Sequence, residues 1–368
     1  VKTQPSTDFA VIGGGLVGAL LALLLSKRGF SVTLVERKKA EKPSQTQPLD
    51  TRAMALNYGT VQLLKDWGFD KILNNATYIE NIHVSDKGRR GIVHIRAQEE
   101  MLPYLGAIVP IEELVYALQT EVIQNKKIQF IEGETPESLF DSKIVIGADG
   151  VNSSVRKKLG IEIDEYDYHS TALIGKVRVK KQVADCAFER FTETGPIALL
   201  PAGDCLYTLI WVKPATSANE QDQPLLESLQ KAFGYRAGIF VEQGKMNTYP
   251  LKRVFSKETH RGHIGLFGNA AHTLHPVAGQ GFNLSVRDIL TFLEVLDMQG
   301  RLDESLWIEY EKRAHFQQRA MKTITHSFVK TFETRNPVLG LSRTLLLQCF
   351  ELSSFARSEL NDVMIGKF

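Results

Sequence analysis

Apolar positions in this chain switch repeatedly between short continuous runs and helical spacing, and each switch marks an element. Phe9 to Ile12 is a four-residue apolar run, Gly13 to Gly18 interrupts it, and Ala19 to Leu25 is apolar and helix-forming. After Gly29, Ser31 to Val35 reads as a second strand that ends in Glu36. A polar, proline-containing loop follows, and then Asn57 stands where it can cap a helix that turns Val61, Leu64 and Trp67 inward. Tyr78 to Val84 and Gly91 to Ile95 alternate as strands, and Pro110 opens a helix with Leu114, Val115 and Leu118 on one face. Ile128 to Ile131 and Lys143 to Ile146 are short strands, the second running directly into Gly147-Ala148-Asp149-Gly150, beyond which Ser153 can cap a helix.

From Tyr166 to about His260 the pattern changes to β-prone runs with one modest helix, Leu225 to Phe233, which predicts an inserted, mainly antiparallel sheet. Phe188, Phe191, Tyr207 and Trp211 lie in those runs; they either line an apolar cavity or fill a core, and the pattern does not divide the two groups. Ile264 to Phe267 returns to the first type of strand, so the first domain is discontinuous, and helices dominate thereafter. The expected division is 1–165, with about 76–105 turned to the substrate side, then 166–262 for the inserted sheet, 263–335 for the return, and 336–368 for a helical tail. That tail carries Leu341, Leu345, Leu346, Phe350 and Phe355, which suit packing on the body, a partner or a membrane surface.

Composition narrows the possibilities. With 368 residues the chain is long enough for two unequal domains, and a formal charge of +2 gives no sign of a nucleic-acid partner. The three cysteines, Cys186, Cys205 and Cys349, are too dispersed for a disulfide framework or a metal site and suit a reducing, cytoplasmic compartment. Leu20 to Leu25 is too short to span a bilayer, so any membrane contact is expected to be peripheral.

Three separated stretches carry chemistry. In the first, Gly13 makes a tight turn, Gly15 lets a pyrophosphate approach the helix end, and Gly18 lets helix and strand pack closely; Glu36 stands where a carboxylate accepts ribose hydroxyls. Arg37 beside it is either a ribose-side contact or a solvated surface residue, and Arg52 either meets the cofactor or ties down its loop. In the second, Asp149 with Gly150 ends a buried strand, and its carboxylate suits a polyol hydroxyl or, alternatively, an ordinary turn. In the third, Gly268-Asn269-Ala270-Ala271-His272-Thr273-Leu274-His275-Pro276 leads through Gly279, Gln280 and Gly281 to Asn283, a turn and helix start suited to an anion.

Together these stretches resemble the class A flavoprotein aromatic hydroxylases of the para-hydroxybenzoate hydroxylase type, and within them the ubiquinone-biosynthesis branch that includes the 2-polyprenyl-6-methoxyphenol hydroxylases. The resemblance implies an α/β fold, with a discontinuous Rossmann-like FAD-binding domain, an inserted antiparallel substrate domain and a helical C-terminus. It implies FAD on Gly13, Gly15, Gly18 and Glu36, with Arg37 and Arg52 on the cofactor side. Asp149 and Gly150 match the family's Asp-Gly motif, and Pro276, Gly279, Gln280, Gly281 and Asn283 match the turn beside the flavin ring. Asn269 stands where the family usually has Asp, which keeps hydrogen bonding but removes a charge. His272 and His275 flank that turn; a supporting role suits both, with His275 the one candidate for direct contact with substrate. The implied reaction is reduction of FAD by NADPH or NADH and transfer of oxygen, from O2 by way of a flavin C4a-hydroperoxide, to a polyprenylated phenol. Biosynthetic partner proteins and peripheral contact with the inner face of the membrane are the associated expectations. A hydroxylase of a small soluble aromatic and a non-catalytic flavoprotein-fold subunit are the alternatives.

Overall fold

In the computed structural model the described residues are 7–43, 53–88, 92–217, 224–273 and 280–315, with 318 and 323. The described residues build three sheets. The first has six strands in the order His260–Arg261, Ile264–Leu266, Ile144–Gly147, Phe9–Ile12, Val32–Glu36 and Ile128–Glu132. All its pairings are parallel except the His260–Arg261 hairpin, and Phe9 lies level with both Val32 and Ile144. A parallel sheet is covered on both faces, which is why Phe9–Ile12 is apolar without alternation and buried at every position. Phe9 and Val11 pack on one side with Leu20, Leu21, Leu24 and Leu25 of the helix Leu16–Lys27. Ala10 and Ile12 pack on the other with Val145, Val155 and Leu266.

The strand Ile264–Leu266 brings the late part of the chain back onto this sheet. The helix Gln280–Gln299 then contributes Val286, Ile289, Phe292 and Leu293 to the same core as the helix Leu16–Lys27. Trp307, in the helical segment 304–315, closes the far end: its indole N–H donates to the His263 carbonyl at 3.1 Å, and its ring lies so near Gly265 that a Cβ there would approach it to 2.4 Å.

A small antiparallel sheet of Ala53–Asn57, Gly106–Pro110 and Thr77–Ile79 stands between the parallel sheet and the third one. Asn57 caps the helix Tyr58–Asp66, accepting the Thr60 N–H at 2.9 Å, as its position before the helical spacing predicts. Val61 and Leu64 are buried; Trp67, at the C-cap, is only half-buried because the helix ends there.

The third sheet runs in the order His272–Thr273, Asn247–Ser256, Ile163–Val179, Leu206–Pro214, Gly195–Pro201, Cys186–Thr192, Asn81–Asp86 and Ile92–Arg96, with Phe240–Gln243 also on Ile163–Val179. Its pairings are antiparallel except that Cys186–Thr192 meets Asn81–Asp86 in parallel, so the segment 81–96 joins the inserted sheet rather than the parallel one. One face packs under the helix Leu225–Phe233, where Phe188, Tyr207 and Trp211 join Leu229 and Phe233. Phe191, on the opposite face, is likewise fully buried, so all four aromatics of these strands are packed residues rather than walls of an open cavity. Cys186 is buried and Cys205 partly buried, both as free thiols. No helix among the described residues is long and apolar enough to cross a membrane. The tail 336–368 lies outside the described residues.

Candidate functional site

The three glycines of the first motif meet different surroundings. Gly13 has φ +104°, and a Cβ on it would stand 2.4 Å from the Ala148 carbonyl oxygen. At Gly18 a Cβ would stand 1.9 Å from the Gly13 carbonyl oxygen, so helix and strand approach each other only because that atom is missing. Gly15 differs: a Cβ there meets nothing within 4 Å. Two glycines close the fold, and the third opens onto empty space at the start of the helix Leu16–Lys27.

That opening is lined by groups from neighbouring strand ends. Glu36 ends its strand with Oε2 accepting the Gly14 N–H at 2.5 Å, and Oε1 accepting the Lys38 N–H at 3.3 Å. Arg37 is exposed beside it. Gln119, buried in the helix Ile111–Gln124, donates to the Gly14 carbonyl at 2.8 Å and accepts the Ala40 N–H at 2.7 Å. This amide fixes the loop from behind; a lone Gln on a buried helical face carries no motif, so sequence reasoning misses it.

Asp149 follows the strand Ile144–Gly147. Its Oδ2 accepts the Ser154 N–H at 2.6 Å, the Ser154 hydroxyl at 2.8 Å and the Val155 N–H at 3.2 Å. The carboxylate therefore serves the N-terminus of the helix Ser154–Lys158, where Ser153 also caps by accepting the Arg156 N–H at 2.9 Å. Asp149 Oδ1 is buried with no partner among the described residues, which leaves one lone-pair face of the carboxylate for a ligand. Gly150 has φ +86°, the left-handed conformation that turns the chain away from the strand. Buried Arg156 ties this motif to the third, donating to the Ala270 carbonyl at 2.8 Å and the Val151 carbonyl at 2.7 Å.

In the third motif Gly268, at φ +59°, faces Val17 in the first turn of the helix Leu16–Lys27, and Asn269 is exposed beside it. His272 is buried with its Nε2 2.5 Å from Asp288 Oδ2, while Gln318 donates to Asp288 Oδ1 at 3.0 Å. The pair joins the strand before the turn to the helix after it, so His272 takes the supporting position. Asn283 is also a strut: it accepts the Asn57 N–H at 3.1 Å and donates to the Ala55 carbonyl at 3.2 Å. Gly281 lies in the first turn of the helix Gln280–Gln299, where a Cβ would meet open space. Arg52, His275, Pro276 and Gly279 lie outside the described residues, and of Gln280 only the backbone is described.

The motifs thus converge from three strand ends, Phe9–Ile12, Val32–Glu36 and Ile144–Gly147, with Ile264–Leu266 alongside. This is the carboxyl edge of a parallel sheet, where open α/β folds take their ligands. The opening at Gly15, the Glu36 carboxylate and the free lone pair of Asp149 fit a dinucleotide's pyrophosphate and hydroxyl-bearing parts. No group of three or more His, Cys, Asp or Glu suited to a metal ion occurs among the described residues.

Comparisons with known proteins agree with this geometry. A family model described as FAD binding domain matches residues 6–122 and 127–325. The chain is similar to 3-demethoxyubiquinol 3-hydroxylase of Escherichia coli (strain K12), at 29% identity over 395 aligned positions covering 99% of this chain and 100% of that protein. It is also similar to ubiquinone hydroxylase UbiL of Rhodospirillum rubrum, at 28% identity covering 92% of this chain and 84% of that one. Among solved structures, p-nitrophenol 4-monooxygenase PnpA from Pseudomonas putida DLL-E4 shares the fold, with a TM-score of 0.77, 17% identity, and coverage of 98% of this chain and 99% of that one.

Proposed function

Since the chain belongs to the FAD binding domain family, we propose that it is an FAD-dependent monooxygenase that hydroxylates the ring of a polyprenylated phenol in ubiquinone biosynthesis. The full-length similarity to two ubiquinone hydroxylases supports the substrate class. The opening at Gly15 between Glu36 and the free side of Asp149 carries the cofactor part of the reading. FAD, when bound, takes two electrons from NADPH or NADH and activates O2; the chain's own residues bind, orient and exclude water.

Each group then has a task. Gly15 admits the pyrophosphate to the helix N-terminus, whose N–H groups favour its charge. Glu36 exchanges its bond to the Gly14 N–H for a ribose hydroxyl, and Asp149 Oδ1 accepts a hydroxyl of the flavin's side chain. Residues 1–165 and 263–335 form the cofactor part, while 166–262, joined by 76–105, form the substrate part. The substrate's prenyl chain is membrane-soluble, so a cytoplasmic protein that meets the inner membrane face is the setting this reading implies.

The test is anaerobic reduction of the FAD-loaded protein by NADPH with a short-chain prenylated methoxyphenol, followed by admission of ¹⁸O2 and mass analysis. One labelled oxygen on the ring is the expected outcome. Flavin reduction that yields only peroxide with every phenol tried overturns the hydroxylase reading and leaves FAD binding intact.

A further inference from the structure

The inserted sheet has one face under the helix Leu225–Phe233 and one face toward the small sheet Ala53–Asn57, Gly106–Pro110 and Thr77–Ile79. Side chains alternate along Cys186–Thr192, so Phe188 and Arg190 take the first face, where Phe188 meets Phe233 and Arg190 donates to the Ala232 carbonyl. Ala187, Glu189 and Phe191 take the second, and Ala187 packs there with Ile79 and Ile108.

Strand register extends that second face sideways. Glu189 lies level with Val84 on one side and Ala198 on the other; Ala198 lies level with Ile210, and Ile210 with Ile174. All five are partly exposed. The row through Phe191, Pro196, Val212 and Ala172 is buried; in the row on the other side Ala187, Thr208 and Lys176 are buried, while Ile82 and Leu200 are partly buried against Ile79 and Ile108. A solvent-reached strip therefore crosses the middle of the face, four inter-strand steps of about 4.8 Å, or roughly 19 Å, from end to end. Its side chains are apolar except one carboxylate.

That carboxylate has no hydrogen bond or ion pair among the described residues. Burial alone pushes it up, to about 7. The other charged groups on this face among the described residues are Asp86, at the end of its strand, Lys176, which feels the charges of Glu112 and Glu113 at the start of the helix Ile111–Gln124, and Arg178, two residues further on, which pairs with Glu242 at 2.8 Å. The small sheet opposite presents Ala53, Ala55, Ile79 and Ile108, none of them titratable. His83, His94, Arg190 and Arg236 belong with the other face. Ala53 and Ala55 also lie in the strand whose backbone holds Asn283, so the strip runs beside the segment that fixes the helix after the cofactor turn.

We propose that Glu189 is the catalytic residue that receives the substrate's phenolic hydroxyl, with the aromatic ring lying along Ala198 and Ile210. This assignment rests on the phenol-hydroxylase reading above and deepens it. The Glu189 carboxylate accepts the phenol O–H as a hydrogen bond; as the ring is attacked, that O–H bond breaks, the proton moves to the carboxylate, and the electron pair flows from oxygen into the ring. The oxygen atom that the ring accepts is the one FAD and O2 supply in that reading, its bond to the second O2-derived oxygen breaking as the C–O bond forms; the attacked carbon then loses its C–H proton as the ring regains aromaticity, and the carboxyl group returns its proton to the phenolic oxygen. Ala198 beside the carboxylate leaves the width that a ring needs, and the apolar remainder of the strip accommodates alkyl substituents. A carboxyl group poised near neutrality is suited to such a transfer.

The test uses FAD-loaded full-length protein and two probes, 2-methoxyphenol and its methyl ether 1,2-dimethoxybenzene, with binding read from the flavin difference spectrum. At pH 8 the wild-type protein is expected to prefer the phenol on the order of tenfold or more, and this preference shrinks toward pH 5 as the carboxylate is protonated. Glu189→Leu abolishes the preference while retaining FAD and a cooperative thermal transition. In turnover of a prenylated methoxyphenol, Glu189→Gln lowers kcat on the order of 100-fold or more and removes the limb that rises through pH 7. A preference that persists in Glu189→Leu, or a Glu189→Gln pH profile superimposable on the wild type's, overturns the assignment. If wild-type protein hydroxylates no phenol yet shows the pH-dependent preference, the hydroxylase reading falls and the phenol site at Glu189 stands.

Discussion

The cofactor end of the parallel sheet and the open face of the inserted sheet solve opposite problems. At the first, polar groups already engage one another: Glu36 holds Gly14, Gln119 holds the loop from behind, and Arg156 clasps Ala270. At the second, Glu189 engages no described residue. The first region is determined by backbone, because it must bring a loop, a helix end and a neighbouring strand into contact. The second is determined by side chains that a sheet tolerates in many combinations. Rigid preorganisation serves a cofactor that stays; an unpaired group in an apolar strip serves a ligand that comes and goes, and it costs stability meanwhile.

Substitutions can separate the two behaviours. The largest effect is expected at Gly18, where even alanine drives a Cβ into the Gly13 carbonyl: Gly18→Ala should lower stability by about 3 kcal/mol or more, measured by denaturant unfolding, and lose FAD as a consequence. Gly15→Val should do the reverse. With nothing near its Cβ, the apoprotein should unfold within about 1 kcal/mol of wild type while FAD affinity, measured by fluorescence titration, falls on the order of 100-fold. An equal loss of apoprotein stability in both variants would erase the distinction between a glycine that packs and a glycine that admits.

On the opposite face the sign reverses. A carboxyl group raised to about 7 in the folded chain, against roughly 4.3 when unfolded, destabilises the fold as pH rises through that interval. Glu189→Gln should therefore be more stable than wild type at pH 8, by about 1–2 kcal/mol after allowance for its partial exposure, with the advantage gone below about pH 4.5. Thermal unfolding at the two pH values decides this without any substrate. The smallest effect is expected at the surface: Lys257→Ala, which breaks the exposed pair with Glu162, should leave the unfolding temperature unchanged within error.

The same contrast explains what could be read from the sequence. Phe9–Ile12, the glycines and Glu36 are legible because a parallel strand, a tight turn and a close helix approach each demand a residue type with few substitutes. Asn57 and Ser153 are legible as caps for the same reason. Glu189 is not, because a charged residue in an alternating strand looks like an ordinary solvent-facing position until the register shows what lies on either side. The aromatics Phe188, Tyr207 and Trp211 stay undecided between cavity wall and core in the sequence, and the fold resolves them as core under the helix Leu225–Phe233. Gln119 escapes for a third reason, and so does Asp288 as the partner of His272, whose supporting role is legible: their partners are remote backbone or a side chain across a loop in the preceding strand.

The strand Ile264–Leu266 completes the parallel sheet by docking on Ile144–Gly147, and most strands of the inserted sheet, from Ile163 to Ser256, are synthesised between them. A nascent chain leaving the ribosome therefore holds Ile144–Gly147 with one open edge until the inserted strands have emerged, and long-range pairings of this kind form slowly. Nearly all of the inserted sheet is available earlier, with its partner segment 81–96 already made. Translation thus gives the substrate face a head start on the cofactor cradle, and a pause after residue 262 would be the point at which an exposed parallel edge most needs a chaperone.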